Sequence, residues 1–213
     1  MSYIPKGTVY GTLLNFKAEF AAMASQMNQP PYKAPPQAPV LYVKPANTWS
    51  ANGASIPVPA RVQEVEIGAT IAMVVSTKQI RYVLMNDLCM PHSSFFRPPV
   101  KFKCLDGFLG IGSNAIETDK PQDFKLEVRV NDHLVQSVDF SQLVRPAAQL
   151  LADVSDFMTL RDGDVLMLGC DCLAKGINLG KRPLAKVGDQ IAITSPSHPA
   201  LGTLSNTLIA EAV

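Results

Sequence analysis

Lys103-Cys104-Leu105-Asp106-Gly107-Phe108 is the stretch on which the reading of this chain turns. It sets a cation and a carboxylate three residues apart ahead of a glycine, with Asn86-Asp87 upstream and Gly110-Ile111-Gly112 just downstream. A lysine here is a point charge able to hold a ligand carboxylate, to pair with Asp106, or to lie on a solvated face. Outward from it the chain runs in short segments rich in β-branched or large apolar residues. They cover residues 41–43, 55–59, 71–75, 81–85, 125–130, 164–168 and 190–193, each bounded by Gly, Pro, Asn or Asp. This spacing predicts a mainly β (α+β) chain.

Two helices are expected among these strands. Phe16, Phe20, Met23 and Met27 recur at helical spacing, and apolar residues at 143, 147, 150, 151, 154 and 157 predict a main helix from Ser141 to Phe157, with Ser141 as its N-cap. Residues 26–40 hold five prolines and read as an extended surface connection. The expected organisation is therefore an N-terminal lobe with its Pro-rich connection over 1–40, and a β domain over 41–213.

A chain of 213 residues can bury a single core without metal or disulfide staples. Its 19 basic and 18 acidic side chains leave a net charge of +1, which argues against nucleic acid and membrane surfaces and for a small-molecule or protein partner. The first residues contain no charged segment leading into an apolar core, and no run approaches a membrane span, so a cytoplasmic location is expected. Cys89, Cys104, Cys170 and Cys172 lack a second matching pair. Cys170-Asp171-Cys172 reads either as buried reduced thiols or as half of a soft-metal site. His92, His133 and His198 have no neighbour at catalytic spacing.

The central stretch, taken with landmarks on both sides, resembles the fumarylacetoacetate hydrolase family, which shows Asn-Asp, then Lys-x-x-Asp-x-Phe, then a Gly turn. Gly11-Thr12-Leu13-Leu14-Asn15-Phe16, Leu41-Tyr42-Val43-Lys44-Pro45, Val130-Asn131-Asp132, Phe157 to Leu166 and Val187-Gly188-Asp189-Gln190-Ile191 fall in the family's order over nearly the whole chain. Within the family, Tyr32 to Pro36, Gly68-Ala69-Thr70, Phe95 to Pro99 and Arg145 to Leu151 are similar to the N-terminal half of the isomerase/decarboxylase branch of 4-hydroxyphenylacetate degradation.

The resemblance implies a mixed β-roll or barrel and a subunit acting on oxo- and hydroxy-dienedioates. The alternatives are a metal-free structural partner of an active paralogous subunit, and a hydrolase or hydratase acting on a 2-oxo or 1,3-dioxo acid. It implies that Lys103 and Asp106 are catalytic, that Lys103 with Arg97 binds a dicarboxylate, and that the chain works as a homodimer or beside a paralogous subunit. Arg145 is a second fork-shaped donor, suited to a dicarboxylate or to tying loops together.

Family members hold magnesium or manganese with a Glu-x-Glu pair and the Asp of Asn-Asp, which here is Asp87. Glu64-Val65-Glu66 has the pair's spacing, but the apolar tail aligns Gly68 and Thr70 with those positions. Glu64 and Glu66 are then displaced by about 13 Å along an extended chain, too far for metal bonds of about 2.1 Å. Weak or absent binding of the divalent cation is expected. The family's lid histidine aligns with Glu19, its Thr-Gly-Thr-Pro with Leu168-Gly169-Cys170-Asp171, and the segment from Val75 to Arg81 is shorter than usual.

Overall fold

The structure, a computed structural model, describes residues 2–92, 100–172 and 180–212. From the N-terminus come β1 (Val9–Leu13), α1 (Lys17–Met23), β2 (Val40–Lys44), β3 (Trp49–Ala51), β4 (Ser55–Val58) and β5 (Val65–Glu66). The middle of the chain forms β6 (Ala69–Val74), β7 (Arg81–Asp87), α2 (Val100–Lys103), β8 (Leu109–Ile116), β9 (Lys125–Val130) and β10 (His133–Asp139). It ends with α3 (Ala147–Ser155), β11 (Val165–Met167), β12 (Leu184–Ala185), β13 (Gln190–Thr194) and β14 (Thr203–Ala210). The chain is mainly β, as expected. Among the described residues no helix is long and apolar enough to cross a membrane.

Seven strands form one sheet in the order β2-β1-β11-β6-β7-β8-β3, five form a second in the order β10-β9-β13-β14-β4, and β5 pairs with β12. The main core lies between the two larger sheets, where Ile71, Met73 and Leu84 meet Leu126, Val128, Ile193 and Leu204. The other face of the seven-stranded sheet is also covered. There Ala72, Val74, Val83 and Met85 pack with Met23 and Met27 from α1 and the turn after it. Because β6 is buried on both faces, Ile71 to Val74 read as a continuous apolar run and not as an alternating one.

β1 precedes the composition change near residue 40, yet it pairs antiparallel with β2 and parallel with β11 inside the sheet. The expected helix from Ser141 is corrected in position. Phe140–Gln142 is a 3-10 turn whose N-cap is Asp139, with its side chain accepting from the Ser141 N–H. The α-helix begins only at Ala147, after Pro146. Proline disfavours helical geometry in the residue before it, so Arg145 cannot belong to a continuous helix. At the β9–β10 hairpin, Asn131 and Asp132 take φ values of 48° and 67°, the left-handed turn that short polar side chains tolerate.

Candidate functional site

Successive strand residues alternate faces, so Asp87 at the end of β7 continues the side of Val83 and Met85, toward α1. Gly68 lies across from it on the β6 side, where the Asp87 N–H donates to the Gly68 carbonyl at 2.8 Å. A Cβ at residue 68 would run into the Asp87 carbonyl. Two steps along, Thr70 is fully buried and donates its hydroxyl to the Gly169 carbonyl at 2.5 Å.

Asp87 is fully buried between two ammonium groups. Lys103 Nζ donates to Oδ2 at 2.8 Å, Lys44 Nζ lies 3.0 Å from Oδ1, and the Tyr42 hydroxyl also donates to Oδ2. Burial alone would raise this carboxyl, but Lys103, Lys44 and Arg182 outweigh it and hold Asp87 well below the usual carboxylate range. Burial, followed by the charge of Asp87, pushes the Tyr42 phenol up, so it stays protonated as a donor.

The two lysines are not equivalent. Lys44 donates to the carbonyls of Phe108 at 2.7 Å, Leu88 at 3.3 Å and Lys103, which uses all three of its protons. It is a structural tie between the end of β7, the end of α2 and the turn that leads into β8. Lys103 ends α2, its Nζ 4.6 Å from the centroid of the Tyr42 ring, and among the described residues its hydrogen-bond partner is Asp87. Burial would lower its ammonium, but Asp87 wins and raises it. Lys103 keeps protons for a further acceptor.

Tyr42 reaches Asp87 because it faces a glycine. Gly11 is its partner in the β1–β2 ladder, and the ring occupies the space into which a Cβ would project. Gly11→Ala is therefore expected to displace the ring from Asp87 and destabilise the fold by about 1–3 kcal/mol through overpacking. A lower urea midpoint at unchanged m would show this, and an unchanged midpoint would mean that the ring moves freely.

Beside this cluster lies a cavity of about 650 Å³, lined by residues that include Glu19, Glu66, His92, Cys172, Lys181 and Arg182. Glu19 on α1 is 3% exposed and Arg182 5%. The guanidinium donates to Glu19 Oε1 at 3.4 Å and the Leu14 N–H also acts on the carboxylate, while among the described residues Oε2 has no hydrogen-bond partner. Burial pushes the Glu19 carboxyl up, against the opposing charges of Arg182 and Lys103. Glu66 is half-buried and also pushed up by burial, with Arg182 and Lys103 opposing. Burial raises the thiols of Cys170 and Cys172 to about 12 and about 11, so both are neutral.

The structure brings Lys103 and Asp87 together, with Glu66 on the adjoining cavity and Glu64 at its rim, and places Asp106 and Arg145 elsewhere. Asp106 is exposed beyond the end of α2 and accepts from Asn47 Nδ2 at 2.6 Å, so it does not pair with Lys103. Arg97 lies outside the described residues. Arg145 is held by Asp153 at 2.8 Å and donates to the Gln37 carbonyl at 2.6 Å, which ties loops together. Glu64 is exposed at the cavity rim, and Glu66 sits opposite Cys89, two residues past Asp87. His133 is exposed, while His92 stacks on Phe102 and His198 packs against Phe124.

Lys44, Arg182 and the buried role of Glu19 were not singled out from sequence. The signal for Lys44 was a lysine two residues from Tyr42 in an apolar strand, which puts both on one face. No comparable pattern surrounds Arg182.

The donor set does not suit magnesium or manganese. Asp87 faces two ammonium groups and a phenol, Gly68 offers no side chain, and Thr70 is committed to a carbonyl. Among the described residues no three His, Cys, Asp or Glu side chains converge as metal ligands. A hard cation here would have to displace Lys44 and Lys103 from the one carboxylate they share.

Residues 8–209 match the model of the fumarylacetoacetate (FAA) hydrolase C-terminal domain. The chain is 33% identical over 218 residues to the 4-hydroxyphenylacetate degradation bifunctional isomerase/decarboxylase of Salmonella dublin, covering 97% of this chain and 48% of that protein. It is 32% identical over 212 residues to the homoprotocatechuate catabolism bifunctional isomerase/decarboxylase of Escherichia coli, covering 92% and 46%. The chain thus spans about half the length of these relatives. Among solved structures, fumarylacetoacetate hydrolase from Exiguobacterium antarcticum superposes with a TM-score of 0.74 at 24% identity, over 98% of this chain and 77% of that one. A 2-hydroxyhepta-2,4-diene-1,7-dioate isomerase from Mycobacterium marinum superposes with a TM-score of 0.72 at 22% identity, over 100% and 78%. These two likenesses establish the fold.

Proposed function

Because the chain belongs to the fumarylacetoacetate hydrolase family, we propose that it is a subunit of a 2-hydroxyhepta-2,4-diene-1,7-dioate isomerase and 5-oxopent-3-ene-1,2,5-tricarboxylate decarboxylase of 4-hydroxyphenylacetate degradation, binding its dicarboxylate without a resident metal. The observation that carries this reading is the charge of the buried cluster. Lys103 and Arg182 stand here against Asp87, Glu19 and Glu66, and burial disfavours the ionised forms of both glutamates, so positive charge is in excess beside the cavity. A buried surplus of cation is costly unless an anion completes it. A substrate carboxylate directed at Arg182, with Lys103 behind it, supplies that anion.

Arg182 lines the cavity and, as a guanidinium, suits a carboxylate in two-point contact. Lys103, itself buried, contributes positive potential where negative charge develops on the 2-oxo oxygen. The chain works beside a second copy or a paralogous subunit. The structural-partner reading is favoured by one observation, namely that Gly68 and Thr70 bring no carboxylate to the side of Asp87.

The test is turnover of 2-hydroxyhepta-2,4-diene-1,7-dioate, followed as loss of its dienol absorbance, by the pure chain in EDTA and again with the paralogous subunit. Turnover of about 1–1,000 per second by the chain alone, lost in Lys103→Met, supports an intrinsic site. Turnover only with the partner, unaffected by Lys103→Met, establishes the structural role instead. Calorimetric binding of magnesium or manganese tighter than about 10 µM would overturn the metal-free reading.

A further inference from the structure

Among the described residues, Glu19 is the carboxylate lining the cavity that is almost wholly withdrawn from water and still has an unused oxygen. A buried polar atom without a partner is costly, and native folds keep few of them. Asp87 cannot play the same part, because two lysines and Tyr42 hold it as an anion. From this geometry we propose that Glu19 is the proton-transferring residue of the site, its Oε1 oriented by Arg182 and its free Oε2 exchanging a proton with the carbon next to the carbonyl of a bound 2-oxo diacid.

The inference rests on the reading of the cavity as a dicarboxylate site. In the forward step Glu19 removes a proton from C3, the C–H pair becomes the C2–C3 double bond, and the carbonyl π pair moves to the 2-oxygen as an enolate. Return of the proton reverses each change, so protons and electrons balance without a co-reactant. Arg182 and Lys103 are the cations acting on Glu19, while Asp171, Cys170 and Cys172 are the acidic groups around it. Burial raises its carboxyl from the ordinary glutamate value, in the direction that suits a general base. His92 lines the same cavity and is the competing proton carrier.

The experiment uses 2-oxoheptanedioate in deuterium oxide, with binding measured by calorimetry and exchange at C3 by proton NMR. Wild type is expected to bind the diacid and to exchange C3, with a rate that rises through a limb lying above about 4.3, the value of a free glutamate. Glu19→Gln is expected to lose about 100-fold or more of the exchange rate while its dissociation constant stays within about tenfold. Glu19→His is expected to recover part of the exchange, with a limb below the free-imidazole value of about 6.5, because burial and the neighbouring cations lower an imidazolium there.

Exchange in a folded Glu19→Gln protein at the wild-type rate and with the wild-type limb would assign the proton to His92 or another group and overturn the proposal. Should Glu19→Gln fail to fold, the wild-type profile decides, since a limb at or below about 4.3, or no exchange by a protein that binds the diacid, is equally fatal. Absence of binding by wild type would instead remove the dicarboxylate reading itself, and this proposal with it.

Discussion

Asp87→Ala is expected to cost about 3–5 kcal/mol of stability, because it leaves two buried ammonium groups without their counter-charge. Lys103 and Lys44 lie 2.8 Å and 3.0 Å from the carboxylate, both essentially removed from solvent. Asp87→Asn keeps the shape and removes the charge, so it should lose nearly as much. Urea denaturation of the three proteins measures this directly. A loss under about 1 kcal/mol, the scale of a surface ion pair, would mean that the ammonium groups find other compensation. The sign of the pH dependence follows from the depressed carboxyl. Its stabilisation is fully present above the unfolded value of about 3.9 and is lost only as the pH falls through the lower folded value. Mild acid should therefore leave this part of the stability intact.

Arg182→Met is expected to be more damaging at pH 8 than at pH 5. Glu19 already has a raised folded pKa, so its ionised form is disfavoured by the fold; that penalty applies above the folded value and vanishes below the unfolded one. Removing Arg182 takes away the largest opposing charge and raises the carboxyl further. The loss of packing is the same at both pH values, but the ionisation penalty grows as pH rises. The two losses should differ by about 1.4 kcal/mol for each pH unit by which the substitution raises Glu19 within that interval. Equal losses at the two pH values would mean that Glu19 does not depend on Arg182.

Strand positions were legible where both neighbours agree in chemistry. Ile71 to Val74 and Val83 to Met85 are apolar because two packed layers cover them. β8 was missed because Gly110 and Gly112 dilute its pattern, although close approach to Asn206 and Leu84 requires them. β14 was missed because Asn206 interrupts the inward row of Leu204 and Leu208. The Asn206 amide nitrogen donates to the Ala51 and Ala54 carbonyls at 3.1 Å and 3.0 Å, a long-range arrangement that no local pattern encodes. The expected helix at Ser141 failed at Pro146 for a local reason that the sequence did contain.

In the site, Asp87 and Lys103 were named in advance through ordered landmarks, while the geometry around them was not. Asp106 follows Lys103 by three residues, which would suggest a shared face if the helix continued. It ends at Lys103, and the turn through Gly107, with φ of 75°, carries Asp106 to the surface. Arg182 comes from a part of the chain far from Glu19 in sequence, and ion pairs of that separation leave no periodic trace. The buried carboxylate likewise appeared from sequence as the loss of an imidazole, because burial and the nearest cation are properties of the folded site.

Arg182 is brought to the cavity by the smallest sheet among the described residues. β12 and β5 pair over Leu184 with Glu66 and Ala185 with Val65, and the Pro183 carbonyl receives the Ile67 N–H at 2.8 Å. The residues that carry the guanidinium are thus fastened by a few backbone bonds, while Asp87 belongs to a strand paired along its length on both sides. Local opening free energies follow such differences in bonding and packing. The arginine half of the charge cluster is therefore expected to open at a lower free energy than the lysine–aspartate half, with faster amide exchange at Ile67, bonded to the Pro183 carbonyl, than at Asp87, bonded to the Gly68 carbonyl.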